Sequence, residues 1–479
     1  MDQRVDNLIR EKCYVDGKWV GEPKLAVTNP ATGAEIAKVP MIDAAGTRAA
    51  IEAAEKALPA WSRMLAKERS NLLRKWYNLI IENADKIAAI MTAEQGKPLA
   101  EAKGEVVYAA NFIEFFAEEA KRIYGETIPA FKPDTRIVCI KQPIGVVAAI
   151  TPWNFPAAMI TRKAGPALAV GCTFVCKPAS ETPLTALALA ELAHQAGIPK
   201  GVFNVVTGKA SVIGAELTSS PTVKMLTFTG STEIGKVLLE QCARTVKKVG
   251  MELGGNAPFI VFDDADLEKA VEGAMASKYR NAGQTCVCAN RLYVQDGVYD
   301  KFAEMLAAAT AKLKVGDGTE AGVTTGPLIN AAAVDKVEEH IADALAKGAR
   351  IVSGGKRHKL GGNFYEPTVL AGVTQEMKVA REETFGPVAP LFRFKTDEEV
   401  IRYANDTEFG LASYFYSRDI GRVWKVAEAL DYGIVGINEG IISSEVVPFG
   451  GVKESGLGRE GSHHGIEEFV EIKYMLMGL

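Results

Sequence analysis

The sequence lacks an excess of charge of either sign. Its 55 lysine and arginine residues face 59 aspartate and glutamate residues, which gives a formal net charge of −4 over 479 residues. A protein that binds nucleic acid through its phosphates needs a basic surface, and no surplus of lysine and arginine is available to form one. We therefore predict no nucleic-acid partner.

Long apolar runs are absent as well. No segment approaches the roughly 18 consecutive apolar residues that a membrane helix requires. The first twenty residues, MDQRVDNLIREKCYVDGKWV, mix charged and apolar side chains. They show neither the apolar centre of a secretion signal nor the arginine-rich, acid-poor composition of a transit peptide. The sequence predicts no membrane association and a cytoplasmic location.

Cysteine is scarce, with seven scattered residues: Cys13, Cys139, Cys172, Cys176, Cys242, Cys286 and Cys288. An odd number without regular spacing favours free thiols over a disulfide framework. A zinc site would need about four ligands, which Cys286 and Cys288 could complete only with Cys172 and Cys176 or with histidines. Because Cys172 and Cys176 lie in an apolar, strand-like run, we predict no metal site.

The apolar pattern divides the chain into regions. From 44 to about 125, apolar residues recurring every three or four positions predict three amphipathic helices. From 145 onward, short Val/Ile/Phe-rich runs alternate with helical segments on both sides of the glycine-rich stretch 253–256. This alternation predicts two consecutive α/β domains with parallel sheets. The runs 135–143 and 467–478 resemble strands without a neighbouring helix, which often pair with each other or with another subunit.

The segment KMLTFTGSTEIGKVLLEQ runs from a strand through Gly230 and Gly235 into a helix. Backbone N–H groups at such a turn could bind a phosphate. It is not a P-loop, because Val237 stands where serine or threonine would hold magnesium, and the G-x-G-x-x-G fingerprint is not met. The segment is therefore either a looser phosphate-binding turn or a connection that needs glycine for backbone reasons.

Lys177 and Ser180 follow another strand, at the end where open α/β sheets bind ligands, although Lys177 could also be an ordinary exposed lysine.

Seven motifs together resemble the aldehyde dehydrogenase superfamily: TPWNFP, KPASETP, FTGSTEIG, MELGGNAP, NAGQTCVCANR, EETFGPV and PFGGVKESGLGREG. They occur in the order of that family between residues 151 and 461. The longer segments NAGQTCVCANRLYVQDGVYDKF and SGLGREGSHHGIEEFVEIKYMLMGL are similar to those of the bacterial succinate-semialdehyde dehydrogenases of the NADP type.

The resemblance implies an α/β fold with three parts. A Rossmann-type cofactor domain would comprise 1–128 and 144–253, and an α/β catalytic domain would comprise 254–445. A small β domain, formed by strands within 129–143 and 462–479, would join subunits into a homodimer or homotetramer.

The resemblance also assigns the chemistry to three residues. Cys286 is the implied nucleophile, whose thiolate forms a thiohemiacetal with the aldehyde; loss of hydride then leaves a thioester. The side-chain amide of Asn154 and the backbone N–H of Cys286 are implied to bind the oxyanion. Glu252 is the implied general base for thioester hydrolysis, and its apolar neighbours predict a raised pKa. Taken alone, the three could be a buried apolar thiol, a turn residue and a solvated acid.

The implied cofactor-binding residues are Pro152, Trp153, Lys177, Ser180, Gly230, Ser231, Gly235, Leu253, Glu383 and Phe385. By the resemblance, Glu383 binds the nicotinamide ribose and Phe385 lies beside the ring. Where the family carries an acid at the place of Ser180, that acid accepts from the 2′-hydroxyl and repels a 2′-phosphate. Ser180 removes the repulsion, so we predict that NADP is preferred. NAD remains usable, because neighbouring Glu181 could partly restore the exclusion.

Arg162, Arg280 and Ser443 match the family's clamp on a distal carboxylate, which a guanidinium can bind through two parallel hydrogen bonds. Each arginine alone could equally belong to a structural ion pair. The predicted reaction is the oxidation of succinate semialdehyde to succinate; glutarate semialdehyde, one methylene longer, is the alternative. A more remote alternative is a thiol hydrolase or acyltransferase, which would pair Cys286 with a histidine.

Cys288 is either a bystander or a redox partner of Cys286. A disulfide needs Cα atoms roughly 4.4 to 6.8 Å apart, which residues two positions apart reach only if the loop bends.

Overall fold

The computed structural model describes residues 7–479; residues 1–6, the beginning of the segment that predicts a cytoplasmic location, lie outside the described part. The strands are β1 Cys13–Val15, β2 Lys18–Val20, β3 Pro23–Thr28, β4 Glu35–Pro40, β5 Glu126–Ile128, β6 Thr135–Pro143, β7 Val146–Ile150, β8 Thr173–Lys177, β9 Phe203–Val205, β10 Val223–Thr229, β11 Lys248–Glu252, β12 Ala257–Val261, β13 Ala289–Gln295, β14 Arg350–Ser353, β15 Thr368–Val373, β16 Val388–Phe394, β17 Ala412–Tyr416, β18 Ile434–Ile437, β19 Gly456–Leu457 and β20 Val470–Gly478. The helices are α1 Ala44–Arg63, α2 Ala66–Glu82, α3 Ala84–Gln95, α4 Leu99–Glu119, α5 Ala158–Val170, α6 Pro183–Gln195, α7 Ala210–Ser219, α8 Thr232–Ala243, α9 Leu267–Tyr279, α10 Tyr299–Thr310, α11 Ala331–Ala346, α12 Lys378–Arg381, α13 Asp397–Asn405, α14 Ile420–Ala429 and α15 Ser462–Glu467.

Eight strands form the first sheet in the order β19-β11-β10-β7-β8-β9-β1-β2. The run from β11 to β9 is parallel, whereas β19, β1 and β2 pair antiparallel at the edges. The chain moves outward from β7 to β8 and β9, then crosses back to β10 on the other side of β7. This reversal creates a topological switch point between β7 and β10, where open α/β sheets bind ligands at the carboxyl ends of the strands.

Seven strands form the second sheet in the order β14-β15-β16-β13-β12-β17-β18, and only β14 pairs antiparallel. The predicted α/β class with two parallel sheets is therefore confirmed. Residues 253–256 join the end of β11 directly to the start of β12. The carboxyl edge of the first sheet consequently adjoins the amino edge of the second, and the loops at these two edges meet.

The region from 44 to 125 holds four helices rather than the predicted three. The backbone is extended at Met64 and Leu65, between α1 and α2. Gly96 ends α3 in the left-handed region, and Pro98 precedes α4. The apolar periodicity continues across these short breaks, so two neighbouring helices were predicted as one. Helix α4 packs against α2 and α5 and so brings its side chains beside the loop that follows β7.

A three-stranded sheet is separate from the eight- and seven-stranded sheets, as is the antiparallel pair of β3 and β4. Strands β6 and β20 pair antiparallel along their whole length, and β5 pairs with the other side of β6. The two runs that resemble strands without a helix thus pair with each other, and β20 begins at 470 rather than 467. Ile472, Tyr474 and Leu476 are exposed on β20.

The three domain boundaries and the oligomerisation role stay predictions. Within residues 7–479, no helix combines the length and apolar character needed to cross a membrane.

Candidate active site

The predicted site residues of the first sheet follow the carboxyl ends of adjacent parallel strands. Pro152, Trp153 and Asn154 come after β7, and Lys177 ends β8, aligned with the last residue of β7. Glu252 ends β11 opposite the last residue of β10. Strand register therefore brings together, beside the switch point, segments that are far apart in the sequence.

The turn after β10 has a structural reason for one of its glycines. A Cβ atom at Gly235 would lie 2.4 Å from Cδ2 of Leu253, so glycine is needed for helix α8 to pack closely on the end of the sheet. Ser231 caps α8, its hydroxyl accepting from the N–H of Ile234 at 3.5 Å. Gly230 donates its N–H to the carbonyl of Glu252 at 3.0 Å. The exposed N-terminus of this 12-residue helix provides amides suited to a phosphate, so both interpretations of the segment have support.

Lys177 is buried rather than exposed, and burial lowers the pKa of its ammonium group while Glu181 opposes that shift. Ser180 is half-buried just beyond it. A hydroxyl at Ser180 can donate to or accept from a ribose or phosphate oxygen and carries no charge to repel one.

Cys286 lies on the loop between α9 and β13, half-buried at the amino edge of the second sheet. Burial, together with the carboxylates of Glu383 and Glu252, raises the pKa of its thiol to about 12. Arg162 and Arg280 act in the opposite direction. The structure thus brings the predicted nucleophile, the predicted base and both predicted substrate arginines within electrostatic range of one another.

Asn154 is fixed by a buried polar network. Its side-chain amide donates to the carbonyl of Gln284 at 3.2 Å, two residues before Cys286. Its own carbonyl accepts from Nζ of Lys97 at 2.7 Å and from the side-chain amide of Asn281 at 3.1 Å. These bonds hold the loop after β7 against the loop of the cysteine, so Asn154 and Cys286 cannot shift independently.

Lys97 is itself held by Glu105. The two form a fully buried ion pair, and Lys97 also lies 4.0 Å above the ring of Phe155. The second oxygen of Glu105 accepts from the N–H groups of Ala157 and Ala158 at 2.9 and 3.3 Å, at the start of α5. A carboxylate at a helix N-terminus is favourable, and here it connects α4, α5 and the loop of Asn154.

The backbone before Cys286 is strained. Asn281, Ala282 and Gly283 have φ angles of +51°, +55° and +78°. Left-handed conformations at non-glycine residues cost about 1–3 kcal/mol each and persist only when the surroundings impose them. Glu101 accepts the N–H of Asn281 at 2.9 Å, and Gln95 donates to its side chain at 3.0 Å. Helices α3 and α4 therefore stabilise the conformation of the cysteine loop.

Glu252 is buried, and one of its oxygens has no hydrogen-bond partner among the described residues. Burial and the neighbouring Glu460 raise its pKa well above the ordinary value, while Arg162 and Lys163 lower it. The direction agrees with the one expected from its apolar neighbours in the sequence. A carboxyl group with a raised pKa and a free oxygen can accept a proton near neutral pH.

Glu383 and Phe385 precede β16 and reach the same edge. Glu383 accepts the N–H of Gly255 at 3.4 Å, and burial raises its pKa to about 7. The ring of Phe385 meets that of Trp153 edge-on, with centroids 5.6 Å apart. An aromatic pair and a carboxylate therefore face the loops of the first sheet, where a nicotinamide riboside would fit.

The two predicted substrate arginines differ in surroundings. Arg162, on α5, is buried between the rings of Phe112 and Phe449, and its Nε lies 2.6 Å from an oxygen of Glu460. Arg280 is half-buried over Phe155 and forms no ion pair within residues 7–479. A cavity of about 200 Å³ is lined by Lys97, Glu101, Gly104, Glu105, Tyr108, Phe155, Arg280 and Ser443. The structure thus joins Arg280 and Ser443 in one cavity whose lining does not include Arg162.

The remaining predictions concern other chemistry at the cysteine. Cys288 is buried and donates its S–H to the carbonyl of Lys278 at 3.2 Å; its partnership with Cys286 stays a prediction. Among residues 7–479, no histidine forms a hydrogen bond with Cys286. In the same range, no group of three or more His, Cys, Asp or Glu side chains is arranged to hold a metal ion.

Sequence patterns missed Lys97, Glu105, Tyr108 and Glu460, although one signal was present. Glu105 falls on the buried stripe of α4 between Ala102 and Ala109, and a charged residue on an apolar stripe needs a buried partner. Glu460 lies 297 residues from its partner Lys163, a pairing that periodicity does not reveal.

Comparison with known proteins agrees with this geometry. The aldehyde dehydrogenase family matches residues 19–475. A glutarate-semialdehyde dehydrogenase of Pseudomonas aeruginosa is 68% identical over 98% of both chains. The NADP(+) succinate-semialdehyde dehydrogenase of Escherichia coli is 68% identical over 99% of both. The crystal structure of a succinate-semialdehyde dehydrogenase from Burkholderia pseudomallei is 63% identical, covers 99% of both chains and superimposes with a TM-score of 0.98. The chain belongs to the aldehyde dehydrogenase family.

Proposed function

We propose that the protein oxidises succinate semialdehyde to succinate with NADP as the preferred cofactor. The observation that carries this proposal is the cavity beside the cysteine loop, to which Arg280 and Ser443 contribute. A guanidinium without an ion-pair partner and a hydroxyl suit the carboxylate at the far end of a short semialdehyde. The relatives from Escherichia coli and Burkholderia pseudomallei carry the corresponding name.

Cys286 begins the reaction by attacking the aldehyde carbon. Because burial keeps the thiol protonated at neutral pH, its proton has to leave to solvent before the thiolate attacks. The new C–S bond places a negative charge on the former carbonyl oxygen. The amide of Asn154 and the N–H of Cys286 stabilise this oxyanion, and one such donor is typically worth about 3–4 kcal/mol. The hydrogen bonds from Lys97 and Asn281 keep Asn154 in place.

The nucleotide, when bound, supplies the hydride acceptor that converts the thiohemiacetal into a thioester. The residues that fit it are Glu383 for the ribose hydroxyls, Ser231 and the α8 amides for the phosphates, and Ser180 with Lys177 for the adenosine ribose. Glu252 then takes a proton from water, whose oxygen attacks the thioester carbon. Collapse of the adduct releases the acid and returns the cysteine thiolate.

A substrate one methylene longer is the second candidate, because the Pseudomonas aeruginosa relative is named for glutarate semialdehyde. One methylene usually discriminates by only about 1–3 kcal/mol. The test is kcat/KM for semialdehydes of increasing chain length, with butanal as the uncharged reference. The proposal expects the four-carbon semialdehyde acid to give the highest value. Equal values for butanal and the semialdehyde acids would overturn it.

The cofactor preference rests on Ser180. We expect kcat/KM for NADP to exceed that for NAD in the wild type and the order to reverse in Ser180→Asp, because a carboxylate there repels a 2′-phosphate. Ser219→Asp, at the exposed last residue of α7, is the matched control. A wild type that strongly prefers NAD contradicts the proposal.

We further propose a cytoplasmic homodimer or homotetramer that associates through the sheet of β5, β6 and β20. The exposed apolar side chains on β20 support this, since large exposed apolar patches mark association sites. The seven cysteines are free thiols, as is usual in a reducing compartment. Light scattering during size-exclusion chromatography should give two or four times the mass of the chain, and Ile472→Glu should reduce that mass.

A further inference from the structure

Tyr108 is a buried hydroxyl without a partner. It lies on α4, its ring packing edge-on against Phe112 with centroids 5.0 Å apart. The hydroxyl oxygen is shielded from solvent and forms no hydrogen bond with any residue from 7 to 479. Leaving such a group unpaired is unfavourable, so the hydroxyl is either a defect or prepared for a ligand.

The surroundings of Tyr108 identify the ligand chemistry. Tyr108 lines the same cavity as Arg280 and Ser443, and the side chains of these two also form no hydrogen bond with the described residues. The other polar side chains of the cavity are occupied. Lys97 donates to Glu105 and to the carbonyl of Asn154.

Glu101 accepts the N–H of Asn281. The polar groups left for a ligand are therefore two hydroxyls and one guanidinium. All three can donate, and an ionised carboxylate only accepts.

The position of Tyr108 fits the far end of a substrate held by Cys286. Arg162 and Arg280 lower the pKa of the Tyr108 hydroxyl, whereas Glu460 and Cys286 raise it. The phenol thus lies within electrostatic range of both arginines and of the nucleophile. Burial raises its pKa, so it remains an O–H donor at neutral pH.

We propose that the Tyr108 hydroxyl donates a hydrogen bond to the distal carboxylate of the semialdehyde, beside Arg280 and Ser443, and thereby contributes to selectivity for acid-bearing aldehydes. The inference rests on the proposed function and adds a substrate-binding residue to it. The ring of Tyr108 packs against Phe112, and its hydroxyl would recognise the carboxylate.

The test is the selectivity of Tyr108→Phe, measured as kcat/KM for succinate semialdehyde divided by kcat/KM for butanal. The substitution keeps the ring and removes only the donor. We expect this ratio to fall roughly tenfold or more, since a hydrogen bond to a charged group is worth about that factor, and KM for the semialdehyde to rise more than kcat falls. Competitive inhibition by succinate should weaken in parallel. Tyr124→Phe, at an exposed tyrosine, should leave the ratio and the inhibition constant unchanged.

Two results would overturn the inference in distinguishable ways. If Tyr108→Phe keeps the wild-type ratio while Arg280→Ala lowers it, the carboxylate pocket stands and Tyr108 serves only for packing. If the wild type itself does not prefer the semialdehyde to butanal, the proposed function falls and the role of Tyr108 falls with it.

Discussion

Two charged regions lie within electrostatic range of Cys286, and their charges are paired differently. In the inner region, Arg162 and Lys163 are fully buried and share the carboxylate of Glu460, beside Glu252. In the outer region, Arg280 is half-buried in a cavity with unpaired hydroxyls and has no ion-pair partner within residues 7–479. Charges of both regions shift the pKa of the Cys286 thiol.

The difference indicates which charges are available to a ligand. A buried charge is costly unless it is paired, so the inner region pairs its arginine and lysine with Glu460 and leaves Glu252 for proton transfer, although Nη2 of Arg162 has no hydrogen-bond partner among residues 7–479. The outer region leaves a cation and hydroxyl donors open. The inner region is suited to chemistry and the outer one to recognition, so substitutions in the two should have different consequences.

The largest effect should come from removing the base of the inner region. Glu252→Gln keeps the shape of the side chain but cannot accept a proton, so kcat should fall by about 10²–10⁴-fold. If hydrolysis is the step most affected, rapid-mixing absorbance should still show a first turnover of reduced cofactor. Glu240→Gln, at an exposed glutamate, serves as the control. An unchanged steady-state rate in Glu252→Gln would contradict the role of the inner region.

Arg162→Met should chiefly affect stability. It leaves Glu460 with Lys163 as its remaining cation, and breaking a buried pair typically costs about 3–5 kcal/mol. Urea titration should show a much lower free energy of unfolding for Arg162→Met than for Arg280→Met, because Arg280 gives up no ion pair. Equal losses in the two variants would remove the distinction between the regions.

Arg280→Ala should chiefly affect selectivity. Removing a cation that faces a buried carboxylate costs about 2 kcal/mol or more, so the ratio of kcat/KM for succinate semialdehyde to that for butanal should fall at least thirtyfold, mainly through KM. Arg244→Ala, at an exposed arginine, is the matched control. If both variants keep the wild-type ratio, the outer region does not bind the carboxylate.

The smallest effect per step, a single pH unit, concerns the ionisation of the thiol. The pKa of Cys286 is raised to about 12 by burial, so the thiol is mostly protonated below that value and the thiolate fraction rises with pH. The rate of alkylation by iodoacetamide in the cofactor-free enzyme should therefore increase about tenfold per pH unit from 7 to 9. Cys286→Ala corrects for other thiols. A rate that levels off below pH 9 would show that the two arginines outweigh burial.

The sequence predicted what depends on local pattern. Strand signals placed Lys177 at the end of a parallel strand, where open α/β sheets bind ligands, and the structure adds Asn154 and Glu252 at the same edge. The family resemblance supplied the cysteine loop and is confirmed by the match over residues 19–475. The assigned roles of individual residues stay predictions.

Patterns could not predict the contacts that decide how each charge is used. Arg162 and Arg280 have the same side chain and the same implied role, yet only Arg162 meets Glu460, almost 300 positions later. Lys97, paired with Glu105, reaches the carbonyl of Asn154 where α4 packs on α5. Such pairings follow from the assembled fold and leave no periodic trace in the chain.

The most direct test of the account is the detection of the covalent intermediate. Glu252→Gln, mixed with succinate semialdehyde and NADP and quenched in acid, should yield a peptide carrying a succinyl group on Cys286 by mass spectrometry. The adduct should be absent when NADP is left out and absent in Cys286→Ala. Turnover by Cys286→Ala at the wild-type rate, or a succinyl group found on Cys288 instead, would contradict the central role of Cys286.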